Sequence, residues 1–185
     1  MMFNSSLSND IEKIFYSEKE IQSVVTQIGR QISVDYRNKD LLLVSILKGS
    51  VLFMTDLMRQ IDLPCAIDFM AVSSYVSGTK TSGVVQILKD LSSPIEGKDV
   101  LIVEDILDSG LTLDYVMNLL RTRNPKSLRI CTLFDKPSRR QAQIKADYVG
   151  FEVPDEFIVG YGLDYNEKYR NLPYIGVLKP SVYRK

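Results

Sequence analysis

Three stretches of this chain are nearly unbroken apolar runs: "DLLLVSILKG" from Asp40 to Gly49, "DVLIVEDIL" from Asp99 to Leu107 and "SLRICTLFDKP" from Ser127 to Pro137. None alternates polar with apolar residues, so none reads as a strand with one wet face; each reads as a strand buried on both sides. Such strands belong to parallel sheets, whose neighbours are joined by crossover helices lying over the faces. The segments between supply those helices. Ser17 and Glu20 form a capping box, and Ile21, Val24, Val25, Ile28 and Ile32 recur at helical spacing, predicting a helix over 18–36. Val51, Met54, Leu57 and Met58 predict a second over 50–60. Leu113, Val116, Met117 and Leu120 predict a third, capped by Thr112 and stopped by Arg121, Arg123, Asn124 and Pro125, with its cations at the carbonyl end. "CAIDFMAVSSY", "GVVQILKD", "ADYVGFEVP" and "FIVGYGLD" predict further strands, and "YRNLPYIGVLKP" an edge strand. The expected fold class is α/β, a largely parallel twisted sheet flanked by helices.

A chain of 185 residues with 45% hydrophobic content fits one domain, 1–185, able to bury a real core. Lys plus Arg and Asp plus Glu both number 23, so no global field draws nucleic acid or an anionic membrane. Neither is an expected partner. Cys65 and Cys131 share no close spacing and sit in apolar surroundings, which suits free thiols in a reducing compartment. "MMFNSSLSNDIEKIF" has neither a basic start nor a long apolar core, and no run of about 18 apolar residues occurs, so a soluble, cytoplasmic protein is expected. There is no histidine. Ser-His-Asp and Cys-His chemistry and the common zinc sites fall away, leaving Asp, Glu, Lys, Tyr or a metal ion for any reaction.

In open α/β sheets ligands gather outside the carboxyl ends of the strands. Here those ends carry Lys48-Gly49, Glu104-Asp105 and Asp135-Lys136. After "DVLIVEDIL" comes Asp108, then a short loop in which Gly110 lies between the Ser109 and Thr112 hydroxyls before a helix starts. Backbone N–H groups converging at such a point form a cradle for phosphate. Carboxylates beside a phosphate site make sense where the ligand also brings hydroxyls or a hard cation, so the combination points to a ribose phosphate. Neither G-x-x-x-x-G-K-S/T nor G-x-G-x-x-G is present, which removes P-loop nucleotidases and dinucleotide folds. The polar segment "VSGTKTSG", with Gly78 and Gly83 and no apolar anchor, predicts a mobile loop over about 73–83.

"VLIVEDILDSGLT", Val100 to Thr112, closely resembles the phosphoribosyl pyrophosphate (PRPP) motif of type I phosphoribosyltransferases. "ILKGS" at 46–50, "SSY" at 73–75, "FDKPSRR" at 134–140 and "FIVGYGLDYNEKYRNLPYIGVL" at 157–178 resemble one branch, the hypoxanthine-guanine phosphoribosyltransferases, in the family's order along most of the chain. The resemblance implies the type I fold, with a small hood formed by the N- and C-terminal segments. It implies that Asp108, Ser109, Gly110, Leu111 and Thr112 wrap the 5′-phosphate, and that Glu104 and Asp105 hold the ribose hydroxyls directly or through Mg²⁺. Lys48 and Gly49 would form the pyrophosphate loop, with a cis non-proline peptide, and Arg170 would reach the leaving pyrophosphate. Asp164 would be a further Mg²⁺ ligand. Lys136 would donate to the purine 6-oxo group, Phe157 would stack on the base, and the main chain around Ile158 and Asp164 would read its edge. Ser74 and Tyr75 would close over pyrophosphate as a lid.

The implied reaction is Mg²⁺-dependent transfer of 5-phosphoribosyl from PRPP to hypoxanthine or guanine, giving IMP or GMP and pyrophosphate. Asp108 would be its general acid and base. An oxocarbenium-like centre needs water excluded, which gives a lid its purpose. An adenine preference is disfavoured because Lys136 donates where a 6-amino group also donates; xanthine stays open. PRPP-responsive regulators that bind nucleic acid share the fold, but this neutral chain shows neither a basic face nor a second domain. Relatives form dimers and tetramers, so a homo-oligomer is expected.

Overall fold

The three apolar runs lie side by side at the centre of a six-stranded sheet. In the computed structural model, residues 6–77 and 80–183 are described, and the side chains of residue 6 and residues 74–84 lie outside that description. In chain order the elements are β1 (Ile11–Tyr16), α1 (Glu18–Asp35), β2 (Leu41–Leu47), α2 (Val51–Met58), β3 (Cys65–Ser77), β4 (Lys80–Lys89) and β5 (Asp99–Leu107). There follow α3 (Leu111–Arg121), β6 (Ser127–Asp135), β7 (Tyr148–Glu152), β8 (Ile158–Val159), β9 (Ile175–Leu178) and α4 (Pro180–Tyr183).

The large sheet has the order β4-β3-β2-β5-β6-β7. All its neighbours are parallel except β4, which runs antiparallel to β3. The pleat divides each central strand between two cores. Leu41, Leu43, Leu101 and Val103 pack against Ile21, Val25, Ile28 and Ile32 of α1 and against Phe53 and Leu57 of α2. Leu42, Val44, Val100 and Ile102 face Leu113, Val116, Met117 and Leu120 of α3 on the other side. Full burial of each such side chain stabilises by about 1.5–3 kcal/mol. The expected capping box is present, with Ser17 N–H donating to Glu20 at 2.8 Å and Glu20 N–H to Ser17 Oγ at 3.4 Å. Both cysteines are free thiols, Cys131 buried and Cys65 half-buried. No described helix is long and apolar enough to cross a membrane.

A second, three-stranded antiparallel sheet, order β1-β9-β8, forms the expected hood. Ile158, Ile175 and Val177 join the main core, while Val159, Tyr169, Leu172 and Leu178 form a separate cluster.

Several local expectations are corrected. The strand near the C-terminus is not an edge: β9 lies between β1 and β8, where both sides of its backbone are hydrogen-bonded. Residues 73–77 and 80–83, expected in a loop, lie on β3 and β4, whose antiparallel pairing runs out to Ser77 and Lys80. Residues 78 and 79 and the side chains of Ser74 and Tyr75, assigned to a lid, lie outside the description. The cap of α3 is Gly110 rather than Thr112, because the chain turns there through the left-handed region at φ 79 and Leu111 is already helical.

Candidate active site

The parallel register brings the carboxyl ends of β2, β5 and β6 together beneath the hood. There Leu107 pairs with Asp135, so the loop after β5 lies beside Lys136. A cleft of about 590 Å³ opens at this edge, with Gly49, Asp105, Asp108 and Lys136 from the sheet side and Phe157, Asp164 and Arg170 from the hood side. A smaller depression of about 150 Å³ lies next to it, lined by Glu104, Asp108, Ser109, Gly110 and Thr112.

The second depression is lined by residues expected to cradle phosphate. Gly110 is required on two counts: its φ of 79 disfavours other residues, and a Cβ would stand 2.7 Å from Cγ2 of Ile144. Ser109 Oγ accepts from the Leu111 N–H at 3.5 Å. Leu111 is exposed. The loop is held from behind by Arg140, which donates to the Asp108 carbonyl at 2.9 Å, the Leu107 carbonyl at 2.9 Å and the Ile144 carbonyl at 3.0 Å, and pairs with Asp135. Arg140 had no role in the sequence reading although it ends "FDKPSRR", because only the fold shows that its guanidinium reaches back to β5. Asp135, expected at the ligand edge, is occupied by this pair.

Glu104, Asp105 and Asp164 do not meet as one group. The pleat sends Glu104 into the cradle and Asp105 into the main cleft, where Asp164 also lies. Among the described residues no three acidic or sulfur ligands gather as a metal cage. Burial, with Asp105 next in effect, pushes the Glu104 carboxyl well above its usual range. Burial also raises Asp105, to about 6, although backbone N–H groups and Arg170 oppose the shift. These are carboxylates short of counter-charge, and a hard cation that brings its own oxygen ligands from a substrate fits such a donor set.

Opposite the cradle, Lys136 is 6% exposed and donates to the Glu156 carbonyl at 2.9 Å. Burial lowers its pKa, and Asp108 draws it partly back. Phe157 presents an exposed ring, with Tyr165 edge-on at 5.6 Å and Tyr183 stacked at 4.8 Å; Ile158 is buried behind it. Tyr183 and Glu156 also line this cleft, which pattern reading missed, since one lies at the far end of the chain and the other meets Lys136 through its backbone. Asp108 Oδ1 is buried with no partner among the described residues, at the junction of the two depressions.

At the carboxyl end of β2, the Leu47–Lys48 peptide is cis. Gly49 has no room for a side chain, because the Asp105 carboxylate lies against it. Arg170 donates to the Gly162 carbonyl at 2.7 Å and pairs with Asp164 at 2.8 Å, which fixes its guanidinium across the cleft.

A glycine-pinned loop at a helix start, a buried cation, an exposed aromatic ring and buried carboxylates gather at one edge of the sheet, the set expected of a phosphoribosyl-transfer site. The family model described as "Phosphoribosyl transferase domain" matches residues 12–166, and the chain belongs to the phosphoribosyltransferase family. Within that family it is similar to the hypoxanthine-guanine phosphoribosyltransferase of Bacillus subtilis (strain 168), 56% identical over 96% of this chain and 98% of that protein. It also matches the bifunctional protein TilS/HprT of Listeria innocua at 54% identity over 97% of its own length, but spans 28% of the length of that relative. Among solved structures, a hypoxanthine phosphoribosyltransferase from Staphylococcus aureus superimposes with a TM-score of 0.96 at 55% identity, covering 99% of this chain and 100% of that one.

Proposed function

We propose that the protein transfers the 5-phosphoribosyl group of PRPP to hypoxanthine and guanine, yielding IMP and GMP with release of pyrophosphate, as a purine-salvage enzyme of the cytoplasm acting as a homo-oligomer. The observation that carries this is the position of Asp108, whose buried, unpartnered carboxylate oxygen lies between the phosphate cradle and the wall formed by Lys136 and Phe157. A ribose seated with its 5′-phosphate in the cradle would put its anomeric carbon toward that wall.

Asp108 to Thr112 bind the phosphate through N–H groups and hydroxyls at the start of α3. Phe157 stacks on the purine, and Lys136 donates to its 6-oxo group, drawing electron density from the ring and loosening the N7 proton. Asp108 takes that proton as N9 attacks the anomeric carbon. Mg²⁺, held by Asp105 and Asp164 with substrate oxygens, would neutralise charge building on the departing pyrophosphate. Lys48 and Arg170 meet the same charge from the protein. Glu104, on the cradle side, accepts from the ribose hydroxyls, and Ser74 and Tyr75 are assigned to cover the pyrophosphate.

The test is formation of IMP from PRPP and hypoxanthine with and without Mg²⁺. Turnover should require the metal, and Asp108→Asn should lower kcat by about 10²- to 10⁴-fold, the usual scale of a lost proton-transfer group. An unchanged kcat in Asp108→Asn would remove the assigned role. Product formation from adenine at a rate matching hypoxanthine would overturn the assignment of Lys136.

A further inference from the structure

A tight turn lies beside Lys48 and Arg170, the two cations assigned to pyrophosphate. Tyr165 and Lys168 exchange backbone hydrogen bonds at 3.2 and 3.1 Å, with Asn166 at φ 52 and Glu167 at φ 60 between them. Two positive φ values at the centre of a two-residue turn are the type I′ arrangement, which favours Gly, Asn or Asp at both positions. Asn166 conforms and Glu167 does not. A residue held against its backbone preference is one whose side chain deserves a function.

The contacts of that side chain are specific. Glu167 Oε2 pairs with Lys48 Nζ at 3.0 Å, and Glu167 Oε1 lies 3.4 Å from Arg170 Nη2. The turn is aimed by Asp164, whose Oδ2 accepts from the Glu167 N–H at 2.9 Å. One carboxylate thus bridges the two cations that, on the phosphoribosyl-transfer reading, receive the leaving pyrophosphate.

We infer that Glu167 is a built-in stand-in for pyrophosphate, which neutralises Lys48 and Arg170 in the free protein and must be displaced by PRPP or pyrophosphate. The inference rests on the assignment of Lys48 and Arg170 to the pyrophosphate side. It makes Glu167 a positioning residue that weakens binding at this end of the substrate and returns to its place as product leaves, easing release. The contrasting role, a brace that aims Lys48 at substrate, predicts the opposite sign.

The pair is exposed, with Lys48 and Glu167 side chains at 67% and 65%, so the effect is small and salt-sensitive. Mg²⁺-pyrophosphate and Mg²⁺-PRPP are titrated calorimetrically into the full chain and into Glu167→Gln. Glu167→Gly, whose backbone favours a φ of 60, serves as a second variant that the turn accommodates. Both variants should bind both ligands roughly two- to fivefold tighter at low salt, with the gap closing at about 1 M salt. KM for PRPP should fall by the same factor while KM for hypoxanthine stays constant. Equal or weaker binding by both variants overturns the stand-in role. Failure of the parent protein to bind either ligand overturns instead the functional reading beneath it, so the two failures are told apart.

Discussion

At Lys136 the surroundings oppose the charge: the side chain is 6% exposed, burial lowers its pKa, and its ammonium is held by the Glu156 carbonyl. A cation kept in such a place needs partners worth the desolvation, and on the proposed reading the 6-oxo group of a purine is one. Replacing Lys136 by Gln should therefore cost a charge-assisted hydrogen bond, about 1.5–3 kcal/mol, or roughly 10- to 150-fold in kcat/KM for hypoxanthine, with PRPP affinity held. A comparable loss in PRPP affinity would show that the substitution had disturbed the cradle instead. Asp68 offers the matching test of stability. Burial works against its charge, but N–H donors of Ser92 at 2.6 Å and Phe69 at 2.7 Å, with Lys89 at 3.4 Å, leave its pKa below the usual carboxylate value. A depressed folded pKa contributes stability that is present above the unfolded value of 3.8 and is lost as pH falls through the folded one. Asp68→Asn should lower stability by about 2 kcal/mol at pH 7 in urea titrations, with the gap narrowing below the ordinary carboxylate range. A gap independent of pH would mean that geometry rather than charge ties Asp68 to Ser92.

Among the elements, the cradle depends on a residue outside it. Arg140 ties the carbonyls of Leu107 and Asp108 to that of Ile144 through three donors in one rigid fork, a geometry that lysine lacks. Arg140→Lys should raise KM for PRPP about tenfold and leave KM for hypoxanthine nearly constant, and thermal melting should show a loss of about 2 kcal/mol. An equal rise in both KM values would indicate a general loss of folding. The same contrast between local and distant causes explains what could be read from sequence. The central strands and α1 were legible because their patterns are complete in themselves: an unbroken apolar run, a capping box, a stripe from Ile21 to Ile32. β1 was not, because "IEKIFY" leaves Ile14 exposed and becomes a strand only by pairing with the distant β9, through two register shifts. The Thr112 hydroxyl predicts the helix cap, whereas the left-handed turn at Gly110 settles the boundary. Asp108, Lys136 and Phe157, which the motifs single out, line the cleft, but the separation of Glu104 from Asp105 follows from the pleat, and Tyr183 joins the lining from the far end of the chain.

For the whole molecule, the cleft is a seam between two bodies of secondary structure. The large sheet contributes Asp105, Asp108 and Lys136, and the hood contributes Phe157, Asp164 and Arg170. A ligand that spans the seam binds only when both sides are folded and in register, so its binding energy appears as folding stability. The distribution of carboxylates adds an order to this. No three of the described residues cage a metal alone, so on the proposed reading the cation is held by one or two carboxylates together with oxygens of PRPP and water. Mg²⁺ by itself should shift the melting temperature by less than about 1 °C, its few ligands giving weak binding. PRPP with Mg²⁺ at about 100 times its Kd should add about 2.7 kcal/mol, a rise of roughly 5–11 °C for a chain of this size. A full shift from Mg²⁺ alone would reveal a cage made by the protein, and would place Glu104 with Asp105 and Asp164 after all. PRPP without metal giving the full shift would mean that Lys48 and Arg170 neutralise the pyrophosphate unaided, and the raised Asp105 carboxyl would then have no cation to answer for.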